Sequence, residues 1–579
     1  MPVDEIVRLL STDRRYREYF AHREVLPQRK GAFENLSHPL TEELEAYLER
    51  KGISLYSHQC RAIEHLRQGE HVIITTPTAS GKTLAFNLPI FEYLAQHPKA
   101  TALYLYPTKA LANDQLKAIS ELDKFSGIAV HASVYDGDTP TSRRPKIREE
   151  ARIIVSNPYE LHQILPWHHK WNRFLSNLQF VVIDEAHRYR GVFGSHIGLL
   201  IRRLRRLCQV YGSSPRFILS TATLANAEEF AGKLTGLPFT LVDEDGSPRG
   251  RKHFVLYNPY ASGHGGRSTH QHTRDLLLEC VQGGLQTLCF TTSRKMTELI
   301  TQWARNELPL EQTARITAYR AGYLPEERRE IENRLKAGLL RGVVATNALE
   351  LGIDIGSLDA VIISGFPGTM MSTWQQAGRS GRRLSDSLAV LVAFENPLDQ
   401  YFMRHPDSFF GRPHEHAIVD DKNPYILSGH LLCAASELPI RPERDLPFFG
   451  DAGREMLQSL EECGLVRSTP RGWVYAGKGR AVDAVKLDSI TADTFRVTCN
   501  GNLLETLGTA QAFREAHPGA ILLHQGEPYI VREFNLQEHT IHVRETDADY
   551  YTQPMKSVDL KVLKEMRREE RGEVSLSFG

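Results

Sequence analysis

The chain has 579 residues, a length that suits roughly three to five domains with hydrophobic cores of their own. Its 70 basic and 70 acidic side chains balance, which excludes a uniformly basic nucleic-acid-binding surface and leaves only a local basic track for such a partner. The seven cysteines show no paired short spacing, which excludes a disulfide framework and a zinc knuckle and indicates a reduced, cytosolic compartment.

The first part of the chain is predicted to be an N-terminal helical extension, residues 1–50. Residues 1–8 lack the pattern of a secretory signal. No apolar run along the chain approaches the length of a membrane span. We therefore expect a cytoplasmic protein with no membrane partner.

The first chemical motif follows a strand predicted near residues 71–75 and precedes a helical pattern that begins at Leu84. It is a phosphate loop formed by Thr76, Pro77, Thr78, Ala79, Ser80, Gly81, Lys82 and Thr83. Backbone N–H groups of this turn and of the helix N-terminus can cradle phosphate oxygens. Lys82 can neutralise the outer phosphates, and the Thr83 hydroxyl can bind Mg²⁺. Thr76 stands where the general pattern has glycine.

A second motif, Asp184-Glu185-Ala186-His187, directly follows the apolar run 179–183. In an open α/β sheet the carboxyl ends of the strands face one crevice, so an acidic pair and a phosphate loop at two strand ends predict an ATPase. Asp184 is predicted to hold Mg²⁺ through water, and Glu185 to orient and deprotonate the attacking water. His187 is predicted to couple hydrolysis to motion. The implied cofactors are ATP and Mg²⁺.

Short β-rich runs alternate with helical patterns through residues 55–240 and 250–400, which is typical of parallel sheets covered by helices. Strands are predicted near 71–75, 101–106, 129–134, 152–155, 179–183 and 216–220, and at 287–290, 314–318, 342–345, 360–363 and 389–393. The polar, turn-rich segment 243–250 is predicted to be a linker. Two α/β domains joined by a short hinge would form a cleft.

Clustered arginines at residues 202–206 leave two interpretations open. The guanidinium groups can neutralise the phosphates of a nucleic acid. Alternatively, they form the solvated face of a helix whose apolar residues cover the sheet.

Beyond residue 420 the pattern changes. Helices at 426–437 and 452–463, followed by a short hairpin that ends at Tyr475, predict a winged-helix module. Trp473 is either a strand-separating wedge or, the favoured alternative, a core residue of the hairpin. Alternating runs from residue 482 to 553 predict a small β-barrel or sheet.

Taken in order, the motifs resemble those of superfamily 2 helicases over about 350 residues. Gln59 stands where these helicases carry an adenine-reading glutamine. Thr221 and Thr223 occupy the motif that links hydrolysis to movement. The resemblance implies that side chains of both α/β stretches contact a nucleic-acid strand. They are Thr108, Lys109, Thr139, Asn157, Thr292 and Thr346. Such contacts to phosphates carry no base identity, so a motor indifferent to sequence is expected.

The second stretch resembles the other helicase motor domain. Gly352 and Asp354 lie in the motif implied to contact nucleotide. Residues 375–382 resemble the arginine-finger motif, with Arg382 as the first choice for the finger and Arg379 beside it. A guanidinium inserted across a cleft stabilises transition-state charge and is worth ~10³–10⁵ in rate. In this motif Gln376 replaces an arginine that many relatives carry.

Segments 318–328 and 396–401 resemble the MrfA-type bacterial DNA-repair helicases and their fungal RecQ-like relatives. This resemblance implies a 3′→5′ DNA helicase or translocase of the bacterial cytosol or nucleoid, which repairs mitomycin-type adducts or crosslinks. The implied partner is DNA with a 3′ single-stranded tail at a duplex junction, and Arg320 is implied to contact it. An RNA helicase with the same motor, or a DNA translocase without strand separation, are the alternatives.

The expected fold is α/β, with two tandem RecA-like parallel-sheet domains followed by a winged-helix-like module and a small β-rich domain. The expected bounds are 1–50 for the extension, 51–245 for motor domain 1, 246–420 for motor domain 2, 421–481 for the winged-helix module and 482–555 for the β-rich domain. MrfA-type helicases continue into a module with four zinc-binding cysteines. This sequence lacks such a cluster, so no zinc is expected. Residues 556–579 are expected to begin a C-terminal segment that is cut short, or else the chain is a natural relative that lacks the module.

Overall fold

The computed structural model describes residues 3–77, 80–261, 266–320, 322–350, 356, 358–381, 385–411, 415–450, 452–487, 494–524, 527–548, 550, 552, 561–572 and 574–578. The chain divides into two compact units, residues 1–490 and residues 491–579. The seven cysteines are unpaired. Within the described ranges, no helix combines the length and the apolar character that crossing a bilayer requires.

Motor domain 1 is built on a seven-stranded sheet that is parallel throughout, in the order β4-β5-β3-β6-β7-β2-β8. The preceding elements are α1 (Val3–Thr12), β1 (Phe20–Leu26) and α2 (Glu42–Lys51). The domain contains α3 (Ser57–Arg67), β2 (Val72–Ile74), α4 (Lys82–Gln96), β3 (Thr101–Leu105), α5 (Lys109–Ser126), β4 (Ser133–Val134), α6 (Arg144–Glu150), β5 (Ile153–Ser156), α7 (Pro158–Ile164), α8 (Asn172–Ser176), β6 (Leu178–Ile183), α9 (Gly191–Val210), β7 (Arg216–Ser220), α10 (Ala227–Thr235) and β8 (Thr240–Val242). Val72 and Ile74 pack in one hydrophobic core and Ile73 in the other, so helices cover both faces of the sheet.

Motor domain 2 has a second seven-stranded sheet, in the order β1-β9-β14-β13-β10-β12-β11. Its elements are β9 (Lys252–Tyr257), α11 (Thr269–Gln282), β10 (Thr287–Phe290), α12 (Arg294–Asn306), α13 (Leu310–Thr313), β11 (Ile316–Tyr319), α14 (Pro325–Lys336), β12 (Gly342–Ala345), β13 (Ala360–Ser364), α15 (Met370–Ala377), β14 (Ser387–Val392), α16 (Pro397–Arg404) and α17 (Pro406–Phe410). In this order, all neighbouring strands between β9 and β11 are parallel, whereas the edge strand β1 runs antiparallel to β9.

Two sequence-based expectations need correction. The N-terminal extension is not wholly helical, because β1 adds an edge strand to motor domain 2 and α1 packs into the core of that domain. The strand predicted at 129–134 is reduced to the two residues of β4. Ala129 and His131 have positive φ angles of 57° and 48°, which interrupt the extended backbone. The other predicted strands are present with shifts of up to two residues at their ends.

The winged-helix module has the predicted helices and hairpin. Its elements are α18 (Pro424–Glu437), α19 (Pro442–Asp445), α20 (Ala452–Glu462), β15 (Val466–Thr469) and β16 (Gly472–Tyr475). Trp473 packs against the core formed by α18 and α20, and its Nε1 donates a hydrogen bond to Glu461 Oε2 at 3.1 Å. Trp473 is therefore held in the hairpin core in this structure.

The second unit contains a five-stranded sheet in the order β18-β17-β21-β20-β19. Its elements are β17 (Thr494–Cys499), β18 (Asn502–Gly508), α21 (Thr509–Glu515), β19 (Ile521–His524), β20 (Glu527–Asn535), β21 (Thr540–Glu545), β22 (Arg567–Arg571) and β23 (Val574–Phe578). The last two form a separate antiparallel hairpin. Val482, Val485 and Leu487 pack in the core of motor domain 1, which places them in the first unit.

Both interpretations of the arginine run were wrong, because the winged-helix module covers this face of α9. Arg203 and Arg206 are fully buried. Arg203 Nε donates to Glu437 Oε1 of α18 at 3.0 Å, and Arg206 Nη1 donates to the Ala434 carbonyl at 2.8 Å. Burial and the charge of Arg203 lower the pKa of the neighbouring His162 to about 3. That imidazole is therefore neutral, and the Arg203 charge is balanced by Glu437.

We predict that Glu437→Gln destabilises the protein by ~3–5 kcal/mol, because it leaves the buried guanidinium of Arg203 without a counter-charge. Thermal unfolding of both variants would measure the effect, with Glu455→Gln on the exposed side of α20 as the matched control. Equal unfolding temperatures for the two variants would contradict a role for the ion pair in fastening the winged-helix module.

Candidate nucleotide site and nucleic-acid crevice

The phosphate loop and the acidic motif lie at the carboxyl ends of β2 and β6, with β7 between these strands. The loop ends at Gly81, whose φ of +84° is in the left-handed region. Its carbonyl accepts a hydrogen bond of 2.9 Å from Gln59 Nε2, and a Cβ at Gly81 would lie 2.5 Å from that nitrogen. Gln59 therefore braces the loop, and only glycine fits at this contact.

Lys82 folds back over its own loop. Its Nζ donates to the carbonyls of Thr76 at 2.6 Å and Pro77 at 2.9 Å, and the hydroxyls of Thr76 and Ser80 are 2.6 Å apart. Burial lowers the pKa of Lys82, against the attraction of Glu185 and Asp184. Thr83 is the second residue of α4.

The acidic pair is set by a local turn. Glu185 has a φ of 50°, and its N–H donates to Asp184 Oδ1 at 2.9 Å. Burial, and then the charge of Asp184, raise the pKa of Glu185 to about 7, whereas the charges of Lys82 and Arg379 oppose that rise. Burial also raises the pKa of Asp184. The geometry thus joins a buried carboxylate pair, the loop lysine and an arginine of motor domain 2.

His187 joins the two motor domains. Its Nδ1 donates to the hydroxyl of Thr221 at 3.2 Å and lies 3.5 Å from Glu185 Oε2, while its Nε2 accepts a hydrogen bond of 3.0 Å from Gln375 Nε2. Burial lowers the pKa of His187 to about 3, so the ring is neutral and can accept that bond. Thr223 is exposed and lines a cavity of about 300 Å³ between the domains.

The sequence analysis assigned no role to Gln375. The feature that could have indicated one is its position at the start of the arginine-finger motif, four residues before Arg379.

Arg379 is buried and oriented by the backbone of motor domain 2. Its Nε and Nη2 donate to the Glu350 carbonyl at 3.1 Å and 2.6 Å. The Glu350 carboxylate accepts hydrogen bonds of 2.8 Å from Ser372 Oγ and Gln376 Nε2. Gln376 therefore helps to hold the segment that orients Arg379.

Five predicted nucleotide-site residues lie outside the described residues. They are Thr78, Ala79, Gly352, Asp354 and Arg382.

The predicted strand-contacting residues of motor domain 1 sit in loops and helix caps. Thr108 Oγ1 accepts from the Leu111 N–H at 3.3 Å, and Asn157 Oδ1 accepts from the Glu160 N–H at 3.0 Å, so both cap the helices that follow. Thr139 Oγ1 accepts from the Asp136 N–H at 3.0 Å. Lys109 Nζ is 2.7 Å from Asp138 Oδ1.

Thr292 and Thr346 of motor domain 2 line a polar crevice of about 230 Å³ together with Arg188 of motor domain 1. Arg188 is exposed, and its charge is among those that oppose the rise in the pKa of Glu185. Sequence reasoning missed Arg188, although it directly follows the acidic motif.

Arg320 has a different environment from the one predicted. It is 2% exposed, and its Nε donates to Glu298 Oε1 at 2.9 Å. The guanidinium also stacks on Tyr323, 4.8 Å from the ring centroid. In this structure the charge of Arg320 is paired with a buried acid inside motor domain 2 and is not presented at the surface.

Among the described residues, no group of three or more His, Cys, Asp or Glu side chains is arranged to hold a metal ion. Mg²⁺ needs fewer protein ligands than that, since it usually keeps several waters and takes one or two carboxylates besides phosphate oxygens. The buried carboxylate of Asp184 and the hydroxyl of Thr83 are hard oxygen donors of the kind that Mg²⁺ accepts.

Three family descriptions match the chain in order. The DEAD/DEAH box helicase family matches residues 56–230, and the helicase conserved C-terminal domain matches residues 270–383. The winged helix domain of ATP-dependent helicase HRQ1 matches residues 419–479.

Relatives match over most of the chain. The uncharacterized ATP-dependent helicase YprA of Bacillus subtilis is 41% identical, over 93% of this chain and 73% of its own length. ATP-dependent helicase HRQ1 of Saccharomyces cerevisiae is 36% identical, over 100% of this chain and 55% of its own length. A crystal structure of the DUF1998 helicase MrfA bound to DNA and AMPPNP has a TM-score of 0.91 and 39% identity, over 97% of this chain and 80% of that one. The chain thus spans about half of the yeast relative and most of the Bacillus one.

We predict that Gln375→Ala weakens the link between the domains. The change removes the hydrogen bond to His187, so the stimulation of ATP hydrolysis by nucleic acid should fall roughly fivefold, as expected for a bond of about 1 kcal/mol. Steady-state hydrolysis with and without single-stranded DNA would measure the ratio. Gln282→Ala, on the exposed end of α11, is the matched control, and an unchanged ratio in Gln375→Ala would contradict the link.

Proposed function

The chain belongs to the DEAD/DEAH-box ATP-dependent helicases of superfamily 2, of the type that includes MrfA, YprA and HRQ1, and we propose that it unwinds DNA with 3′→5′ polarity in DNA repair. The observation that carries this proposal is its likeness, over 97% of the chain, to a helicase bound to DNA and AMPPNP. The proposed substrate is a duplex entered from a 3′ single-stranded tail, and the proposed lesions are mitomycin-type adducts or crosslinks.

At the nucleotide, we assign the phosphate contacts to Lys82 and the backbone of the loop, and the adenine contact to Gln59. Thr83 and Asp184 would hold Mg²⁺, which supplies charge neutralisation for the phosphates when it is bound. Glu185 takes the proton of the attacking water. Its pKa near neutrality suits this task, because a base works best when its pKa is close to the working pH.

Across the cleft, Arg379 and Arg382 are the proposed arginine fingers. Nucleotide held by Lys82 on one side and by these guanidinium groups on the other favours the closed cleft, because only that state makes both sets of contacts. Hydrolysis removes the differential contacts, and the cleft reopens. The hydrogen bond from Gln375 to His187 offers a direct route by which this motion reaches Glu185.

The nucleic acid is proposed to lie across both motor domains. Thr108, Lys109, Thr139 and Asn157 would contact its phosphates from motor domain 1. Thr292 and Thr346 would do so from motor domain 2. We add Arg188, whose exposed guanidinium shares the crevice of these two threonines. Contacts to phosphates fix position and carry no base identity, so activity should not depend on sequence.

Single-turnover unwinding of matched DNA and RNA duplexes, each with a 3′ or a 5′ tail, tests the proposal. We expect strand separation of the 3′-tailed DNA duplex, because a 3′→5′ motor loads on that tail and advances into the junction. Hydrolysis stimulated by DNA without unwinding on any tail would identify a translocase. Equal or better unwinding of RNA would remove the inference of DNA repair, and unwinding from the 5′ tail alone would reverse the polarity.

Glu185→Gln should lower the rate of ATP hydrolysis by about 10²–10⁴-fold while ATP binding persists, because the amide cannot accept the proton of the attacking water. Phosphate release and binding of a fluorescent nucleotide would be measured side by side. Glu149→Gln, on the exposed face of α6, is the control variant. Retained hydrolysis in Glu185→Gln would refute the role assigned to this residue.

A further inference from the structure

Lys252 is a buried cation that none of the helicase motifs includes. It is the first residue of β9, pairs with Leu26 of β1 and Ser387 of β14, and is 7% exposed. Its Nζ donates to the carbonyls of Ala377 at 2.5 Å and Ser380 at 2.9 Å. A lysine ammonium is rarely buried, and here two of its N–H groups donate to backbone carbonyls.

The two carbonyls that Lys252 binds bracket Arg379. Ala377 is the last residue of α15, and Ser380 directly follows the arginine. The C-terminal end of a helix carries partial negative charge, which the ammonium complements. Lys252 thus clamps the backbone on both sides of the residue proposed to reach across the cleft.

Other contacts fasten the same short loop, residues 378–381. The Gly381 N–H donates to the Leu358 carbonyl at 3.1 Å, and Gly381 has a φ of +80°. A Cβ at Gly381 would collide with Ser387 Oγ. The guanidinium of Arg379 is held by the Glu350 carbonyl. Among these contacts the ammonium of Lys252 is the one that spans the arginine.

Lys252 also borders the cleft itself. The cavity of about 300 Å³ between the motor domains is lined by Lys252 and Gly381 on one side and by Pro77 of the phosphate loop on the other. The loop that Lys252 holds therefore faces the loop that is proposed to hold the phosphates.

We propose that Lys252 is a positioning residue for the arginine-finger loop. It fixes the backbone at Ala377 and Ser380 so that the Arg379 guanidinium stays oriented toward the nucleotide. This inference rests on the proposed finger role of Arg379. Lys252 does not touch the substrate in this proposal. Its effect is on the rate of hydrolysis and not on the affinity for ATP.

Lys252→Met keeps an unbranched stem and removes the hydrogen-bond donors. We expect kcat for DNA-stimulated ATP hydrolysis to fall about 10- to 100-fold, since a misplacement near 1 Å is enough for such a loss, with KM for ATP unchanged. Lys99→Met, an exposed lysine of motor domain 1, is the matched control and should behave as wild type.

A double-mutant cycle with Arg379→Ala separates positioning from a general structural effect. If Lys252 acts through Arg379, Lys252→Met should slow the Arg379→Ala enzyme no further. An equal loss in both backgrounds, or a rise in KM in place of the fall in kcat, overturns the inference and leaves the finger role intact. A wild-type rate in Arg379→Ala overturns the finger role, and the inference falls with it.

Thermal unfolding of each variant is measured beside the kinetics. If Lys252→Met does not fold, Lys252→Gln takes its place in the cycle, since one amide donor can still reach one of the two carbonyls. Its kcat should then lie between those of wild type and Arg379→Ala. A folded Lys252→Gln with wild-type kcat overturns the proposal.

Discussion

Parallel strands that are buried on both faces constrain this protein more than any other feature. Strands such as β2 and β6 consist mostly of apolar residues, because helices cover both faces of the sheet. Polar residues are therefore displaced to the loops at the carboxyl ends of the strands, where the phosphate loop, Asp184 and Thr221 meet. The same constraint in motor domain 2 places Thr292 and Thr346 after β10 and β12. The cleft is the region where these two edges face each other.

Three buried cations connect elements within the first unit. Arg203 fastens α18 of the winged-helix module to α9, Arg320 is paired inside motor domain 2, and Lys252 clamps the loop that carries Arg379. A buried charge needs a counter-charge or hydrogen-bond acceptors, and in each case these come from a different element, so each of these side chains ties two elements together.

The neutral side chain of His187 links the two sides of the cleft by hydrogen bonds. His187 can accept from Gln375 and donate toward Thr221 only in its neutral form, and burial lowers its pKa far enough to keep it neutral. A hydrogen bond thus connects Gln375 of motor domain 2 to His187, whose ring lies 3.5 Å from Glu185 Oε2. Such bonds depend on direction and short distance, so a small rotation of one domain is sufficient to break them.

The sequence by itself determined the local units: the loop from Thr76 to Thr83, the acidic pair at Asp184, the arginine motif at 375–382 and most strands, such as 342–345. These are strand, loop and helix patterns in which neighbours along the chain carry the signal. Tertiary structure decided the rest. The pairing of β1 with β9, the burial of Arg203, Arg206 and Arg320, and the contacts of Gln375 and Lys252 join residues far apart in sequence. Hydrophobic periodicity shows that a helix such as α9 has a polar face, but whether water or another domain covers that face depends on packing, which no local pattern records.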